Sequence, residues 1–310
     1  MATVFIDGNQ GTTGLRIAQR LKARDGLSLL RLPERDRKSL PARAELARVA
    51  DITFLCLPDD ASRELVELLG EGEARLIDAS TAHRTDPRFV YGFPELSPER
   101  PGAIAASRRV AVPGCHASGC VALLKPLLAS GALAPDAAVS LTSLTGYSGG
   151  GKKMIAEYEA EGRPAFLHAP RPYAVFQEHK HLPEIVRECG LAAPPVFQPI
   201  VMDAYSGMLV SLPIRRDMLR SGLTLPQAGE IYRAFYQGQP LVSVLQENPE
   251  ANIDSAGLSG TDKMEIFVTG NDERMIAYAR LDNLGKGASG AAIQCMNLML
   301  GLDMTEGLVF

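Results

Sequence analysis

The first two dozen residues constrain the fold more than any other stretch. Residues 3–7, Thr-Val-Phe-Ile-Asp, form an apolar run of strand length. It enters Asp7-Gly8-Asn9-Gln10-Gly11-Thr12-Thr13-Gly14, and residues 14–24 then place apolar side chains at 15, 17, 18 and 21, the spacing of a helix. A strand, a glycine turn and a helix in succession bring backbone close to an anion and aim a helix N-terminus at it. The spacing is G-x-x-G-x-x-G, not the commoner G-x-G-x-x-G, so the context carries the reading more than the string does. It predicts a dinucleotide pyrophosphate site built from Gly8, Asn9, Gly11, Thr12, Thr13 and Gly14. The plain alternative is a tight βα turn with no ligand.

Further strands are predicted at 27–32, 51–58 and 74–80, with a helix at 61–69. Strands alternating with helices imply parallel pairing, and the apolar strand centres suit a sheet buried on both faces. Arg31 ends the second strand, and Pro33-Glu34-Arg35-Asp36-Arg37-Lys38 follows. An enzyme using NAD usually carries an acid there for the ribose hydroxyl. A cationic cluster including Arg35 suits a 2′-phosphate instead, hence NADP(H), although a solvated charged loop would read the same way. From about residue 137 the pattern changes to longer runs at 137–145, 195–202, 207–214, 263–270 and 274–282. Some are separated by short turns, which predicts a mixed or antiparallel sheet in an α+β domain. Helices are expected at 118–130, 151–160 and 225–236, and an Ala-rich apolar helix at 287–301.

Charge narrows the partners. Thirty-two Lys and Arg stand against 36 Asp and Glu, a formal net charge of −4, so no broad basic field exists for a nucleic-acid backbone. No apolar run approaches the ~18 residues that span a bilayer, and the first residues lack the basic and apolar regions of a secretory signal. The five cysteines are too few and odd in number for a disulfide framework, and read as reduced thiols of a cytoplasmic protein.

One cysteine stands apart. Cys115 follows Pro113-Gly114 and opens a predicted helix, where the dipole and free amides favour a thiolate able to attack an acyl carbon. A small packed residue at a helix start is the alternative. Cys56, in a strand, and Cys120, Cys189 and Cys295 read as packing. For a base, the densest polar cluster is His179-Lys180-His181-Leu182-Pro183-Glu184, which offers His181 or His179 for proton transfer. The same H-x-H-x-x-E string could hold zinc, but no other His or Cys has helpful spacing, and no metal is expected. His116, beside the cysteine, is expected to support the site from behind or lie at the surface.

Residues 146–152, Gly-Tyr-Ser-Gly-Gly-Gly-Lys, match most of a P-loop, yet Lys153 replaces the Ser or Thr that would reach magnesium. A phosphotransferase is therefore the weaker reading. A cradle for a substrate phosphate, using Ser148, Gly149 and Lys152, is the stronger one.

Taken together, the segments FIDGNQGTTGLRI, FLCLPDDAS, LIDASTAHR, YGFPEL, AVPGCHASGC, LTGYSGGGKK, HKHLPEI and LDNLGKGASGAAIQCMNLMLGL span the chain. They resemble the N-acetyl-gamma-glutamyl-phosphate reductase family of arginine biosynthesis in its shorter, type 2 form. The glycine loop and final helix are shared more widely with aspartate-semialdehyde dehydrogenase relatives. Val112 stands before Pro-Gly-Cys where many relatives carry Asn. The resemblance implies a Rossmann-type parallel-sheet domain (1–115 plus 287–310) enclosing an inserted α+β catalytic domain (116–286). It implies NADPH-dependent reduction of N-acetyl-L-glutamyl 5-phosphate through a Cys115 thioester. Asn283, Gly285 and Lys286 would complete the cofactor pocket, and Arg84 and Arg108 are candidates for the anionic groups of the substrate or else surface charges. A homo-oligomer, dimer or tetramer, is expected. The alternatives are a sibling reductase of aspartyl or aminoadipyl phosphate and a non-catalytic NADP-binding sensor.

Overall fold

The computed structural model describes residues 1–72 and 74–310, and divides into two compact units. The first comprises Met1–Gly114 with Ala288–Leu308, the second Cys115–Gly287 with Val309–Phe310. Cys115, Gly287 and the last two residues thus group with the second unit, where the expectation put 1–115 and 287–310 with the first.

In the first unit the strands are β1 (Ala2–Asp7), β2 (Leu27–Leu30), β3 (Ile52–Leu55), β4 (Leu76–Asp78), β5 (Val90–Tyr91) and β6 (Arg109–Ala111). The helices are α1 (Thr12–Lys22), α2 (Leu40–Val49), α3 (Asp59–Leu69) and α4 (Arg100–Ala106). All pairings are parallel, in the order β2-β1-β3-β4-β6-β5. Alternate residues of each strand serve opposite faces. Val4, Ile6, Phe54, Ile77 and Val110 pack with Ile17 and Leu21 of α1 and Ile104 of α4. Phe5, Leu55, Leu76 and Ala111 face the other way, onto Ala44 and Ala47 of α2 and Leu65, Val66 and Leu69 of α3. Both faces are therefore apolar, as the uninterrupted strand runs require.

The second unit contains α5 (Cys115–Ala129), β7 (Ser140–Gly146), α6 (Gly151–Glu159), β8 (Arg171–Pro172), α7 (Leu182–Cys189), β9 (Val196–Met202) and β10 (Met208–Arg215). It continues with α8 (Leu225–Phe235), β11 (Val242–Val244), β12 (Met264–Asn271) and β13 (Arg274–Leu281). Its seven-stranded sheet runs β11-β12-β13-β10-β7-β9-β8 and is mixed: β7 is antiparallel to β10 and parallel to β9. Helix α5 lies so close to this sheet that a Cβ at Gly119 would overlap Val210 of β10. The helix also carries Pro126, which has no N–H to give Ala122, four residues back. Tyr236 Oη compensates by donating to the Ala122 carbonyl, and Tyr232 Oη donates to that of Leu123, both at 2.9 Å.

A π-type turn over Gly285–Ser289 leads into α9 (Gly290–Leu300), whose Ala291, Ile293, Cys295, Met296 and Met299 complete the core on the α1 side of the first unit. Among the described residues no helix is long and apolar enough to cross a membrane.

Candidate active site

The glycine turn of the first unit is shaped by close approach. Gly8 has φ +87°, and a Cβ there would overlap the Cys56 carbonyl. A Cβ on Gly14 would stand 2.5 Å from the Gly8 carbonyl oxygen, so α1 packs directly on the turn. The Gly11 N–H donates to the Gly8 carbonyl at 3.1 Å. At the start of α1, Gly11 brings no side-chain cap and no acid occupies the first turn. Thr12 Oγ1 is buried without a hydrogen-bond partner among the described residues. Asn9 and Gly11 are exposed, and Thr13 is half-buried in the first turn. This combination fits a dinucleotide pyrophosphate: an anion would meet helix amides and supply the acceptor that Thr12 lacks. Below the turn, Asp7 is buried against Arg43, whose Nε donates to Oδ2 at 2.7 Å. Burial raises the Asp7 pKa all the same, the Arg43 contact offsetting only part of it.

At the end of β2 the cations separate. Arg35 is exposed, with Nε 3.5 Å from Asp36, and Arg37 pairs with Glu34 at 2.8 Å. Arg31 instead lines a cavity of about 250 Å³ with Ile6, Asn9, Ala18, Lys22 and Leu30. Arg31 and Lys22 thus face the cavity at this strand end, and Arg35 does not line it.

The carboxyl end of β4 holds a buried network that the sequence reading missed. Asp78 Oδ2 accepts from Ser62 Oγ (3.0 Å) and Ser80 Oγ (2.9 Å) and lies 2.5 Å from His83 Nδ1. Arg84 is buried, donating through Nε to the Val112 carbonyl (3.0 Å) and through Nη2 to that of Ala79 (3.4 Å). It is not the surface charge that was the alternative; it braces the strand end that leads to Cys115. Arg108 is exposed.

In the second unit Cys115 is the first residue of α5 and half-buried. A Cβ on Gly287 would come within 2.8 Å of the Cys115 Cβ, so residue 287 must be small for the thiol-bearing turn to fit. Burial pushes the Cys189 thiol up to about 12, and raises those of Cys56 and Cys120 as well. Cys56 follows β3 instead of lying in it, and is half-buried, not fully so.

The histidine cluster is tighter than the motif suggested. His179 and His181 are both buried, in the turn that opens α7, and the His181 N–H donates to His179 Nδ1 at 3.2 Å. Their ring centroids lie 4.7 Å apart. His116 joins them at 5.4 and 5.6 Å. Contrary to the surface alternative, it is buried, with Nδ1 2.7 Å from Ser143 Oγ and Nε2 2.6 Å from Tyr173 Oη. Burial, with the nearby His179 and Lys180 charges, lowers its pKa to about 3, so the ring is neutral. Among the described residues no group of three or more His, Cys, Asp or Glu has metal-holding geometry.

The central loop departs from a P-loop. The amides of Gly146, Tyr147 and Ser148 donate to the carbonyls of Gly207, Ala204 and Tyr205 at 2.9–3.0 Å and cannot cradle a phosphate. Ser148 is buried, and its Oγ accepts from Asn283 Nδ2 at 3.0 Å. Asn283 Oδ1 accepts from the Gly207 N–H, also at 3.0 Å. These two side chains hold loops together. Gly149 and Lys152, before and within the first turn of α6, are exposed, as are Gly150 and Lys153. Gly285 packs where a Cβ would overlap the Thr261 carbonyl, and Lys286 is buried.

Two family models match this chain: the semialdehyde dehydrogenase NAD binding domain over residues 31–103, and the semialdehyde dehydrogenase dimerisation domain over 115–283. Solved structures share the fold. Aspartate semialdehyde dehydrogenase II from Vibrio cholerae superposes with TM-score 0.74 at 17% identity, covering 97% of this chain and 99% of the other. Aspartate semialdehyde dehydrogenase with NADP from Candida albicans gives 0.68 at 15%, covering 97% and 98%. Family models and fold thus place the chain among nicotinamide-dependent oxidoreductases of the semialdehyde dehydrogenase class. Sequence goes further. N-acetyl-gamma-glutamyl-phosphate reductases from Brucella anthropi and Brucella ovis are 45% and 43% identical over 305 residues, 96% of this chain and 98% of each relative. The chain belongs to the N-acetyl-gamma-glutamyl-phosphate reductase family.

Proposed function

We propose that this protein reduces N-acetyl-L-glutamyl 5-phosphate to N-acetyl-L-glutamate 5-semialdehyde and phosphate. The observation that carries the reading is Cys115 at the N-terminus of α5, beside a residue whose ring touches both His179 and His181. The Cys115 thiolate attacks the acyl carbon. A C–S bond forms, the C–O bond to phosphate breaks, and inorganic phosphate leaves a thioester on the enzyme. Amides at the start of α5 stabilise the oxyanion that forms and collapses in that step. His181 or His179 takes the thiol proton and later returns one to the product side. NADPH, when bound, would supply the hydride to the thioester carbon, and the thiohemiacetal left on Cys115 collapses with cleavage of its C–S bond, releasing the aldehyde and the thiolate. Lys152 and Gly149 are the remaining candidates for the leaving phosphate, now that Ser148 is held by Asn283. Gly8, Asn9, Gly11, Thr12, Thr13 and Gly14 hold the dinucleotide, with Arg31 rather than Arg35 toward its 2′-phosphate. A homo-oligomer working in the cytoplasm completes the reading.

The test is the reverse reaction. N-acetylglutamate 5-semialdehyde, phosphate and NADP⁺ should yield NADPH, faster than the aspartate or aminoadipate semialdehydes do. Cys115→Ser should lower that rate by roughly 10³-fold or more, while NADPH binding, followed by fluorescence, is kept. Substantial turnover by the Ser variant would overturn the covalent route.

A further inference from the structure

His116 has no part in the chemistry just described, yet it is the most thoroughly fixed polar side chain near Cys115. It follows the nucleophile in sequence and is almost fully buried. Each ring nitrogen has its own hydroxyl, Ser143 Oγ on β7 at 2.7 Å and Tyr173 Oη just beyond β8 at 2.6 Å. In either neutral tautomer one nitrogen donates and the other accepts, and both hydroxyls can serve either role. The ring meets His179 edge-on at 84° and lies 5.6 Å from both His181 and Phe197 of β9. The titratable and charged groups around it are the Cys115 thiol on its own helix, Tyr173 beyond β8, and His179, Lys180 and His181 before α7. From β7 comes only the neutral Ser143, and from β9 the Phe197 ring.

We propose that His116 is a positioning residue. Clamped between Ser143 and Tyr173, it fixes the edge against which His179 and His181 pack, and sets the Tyr173 hydroxyl beside the cluster, without carrying a proton itself. The cluster geometry then depends on two hydrogen bonds that take no part in the reaction itself. A protonated His116 would put a second cation within 6 Å of whichever histidine holds the transferred proton, and like charges that close disfavour each other. A ring locked neutral leaves the proton to His179 or His181. The idea rests on the function proposed above, but part of its test does not.

Tyr173→Phe, His116→Gln and the double variant should be compared with the parent enzyme. Reaction of Cys115 with iodoacetamide, followed against pH by mass spectrometry, needs no substrate. Its midpoint should rise by about half a unit or more in each single variant, as loosened histidines stabilise the thiolate less. In the reverse reaction kcat should fall about tenfold or more with KM within about twofold. The double variant should be no worse than the worse single one, because both substitutions break one clamp. The acid limb of the pH–rate profile should survive in His116→Gln. Loss of that limb would make His116 the proton carrier and overturn the proposal. So would multiplicative effects in the double variant, or unchanged alkylation and kcat alongside a lowered melting temperature. Should the parent enzyme not turn over N-acetylglutamate 5-semialdehyde, the proposed function fails, and the alkylation comparison still decides the role of His116.

Discussion

A buried imidazole with a pKa near 3 makes folding sensitive to acid. The ordinary value in an unfolded chain is 6.5, and His116 folds with a value of about 3. Between these two values the unfolded chain binds a proton that the folded one refuses. His116 therefore costs no stability above pH 6.5 and erodes it progressively below, by up to about 1.4 kcal/mol per pH unit. Urea midpoints at pH 7, 6 and 5 should fall more steeply for the parent enzyme than for His116→Gln, and parallel curves would contradict this. How much of the residue level could be read in sequence depends on the distance to the partners. Cys115 is marked by its neighbours, a Pro-Gly turn before it and a helix after it. His116 is not marked, since the hydroxyls that bury and neutralise it come from 27 and 57 residues away. Ser148 misled for the same reason, its partner Asn283 being 135 residues distant.

At the scale of the element, α5 shows how a rule broken locally is repaired by tertiary structure. Proline inside a helix removes a hydrogen bond and crowds the preceding turn, at about 3 kcal/mol. Here Tyr236, just after α8, donates to the freed Ala122 carbonyl, and Tyr232 of α8 adds a bond to the neighbouring Leu123 carbonyl. Tyr236→Phe should destabilise the protein by about 1–2 kcal/mol, since it strands the buried Ala122 carbonyl, and Tyr232→Phe by about half as much, since the helix still offers Leu123 the Leu127 N–H. Chemical denaturation measures this, and a change below about 0.3 kcal/mol would show that the bonds do not matter. Long elements with a clear period were legible: β1, α1, α3, β9, β10, β12, β13 and the core of α9 fall where the apolar spacing puts them. Short ones were not. Strands β5 and β6 have two and three residues, less than a repeat can reveal. Helix α2 draws its buried face from Arg43, Ala44 and Ala47, which makes no apolar stripe. Sheet order lay beyond reach, because whether β9 joins β7 in parallel or antiparallel fashion is settled by packing, not by either strand's composition.

Over the whole molecule the governing fact is discontinuity. The first unit takes its strands and four helices from the N-terminal 114 residues and its remaining core helix, α9, from residues 290–300. Ending the chain after Gly287 would strip Ala291, Ile293, Met296 and Met299 from the face formed by Val4, Ile6, Phe54 and Val110. Such a truncation should lose NADPH binding and expose apolar surface, seen as binding of a hydrophobic dye. Normal NADPH affinity in the truncated chain would show that α9 is dispensable. The return of an Ala-rich apolar helix near the C-terminus is the trace of this arrangement in the sequence.

The same discontinuity has a meaning during synthesis. As the chain leaves the ribosome, the sheet of the first unit emerges early, but the part of one apolar face that α9 covers stays open until about 170 further residues have been made. At ~5–20 residues per second that wait is on the order of ten seconds or more. The intervening unit, continuous from Cys115 to Gly287, can fold within it. The unit that carries Cys115 can then be complete before the nucleotide-binding unit, whose sheet keeps apolar surface exposed for that interval.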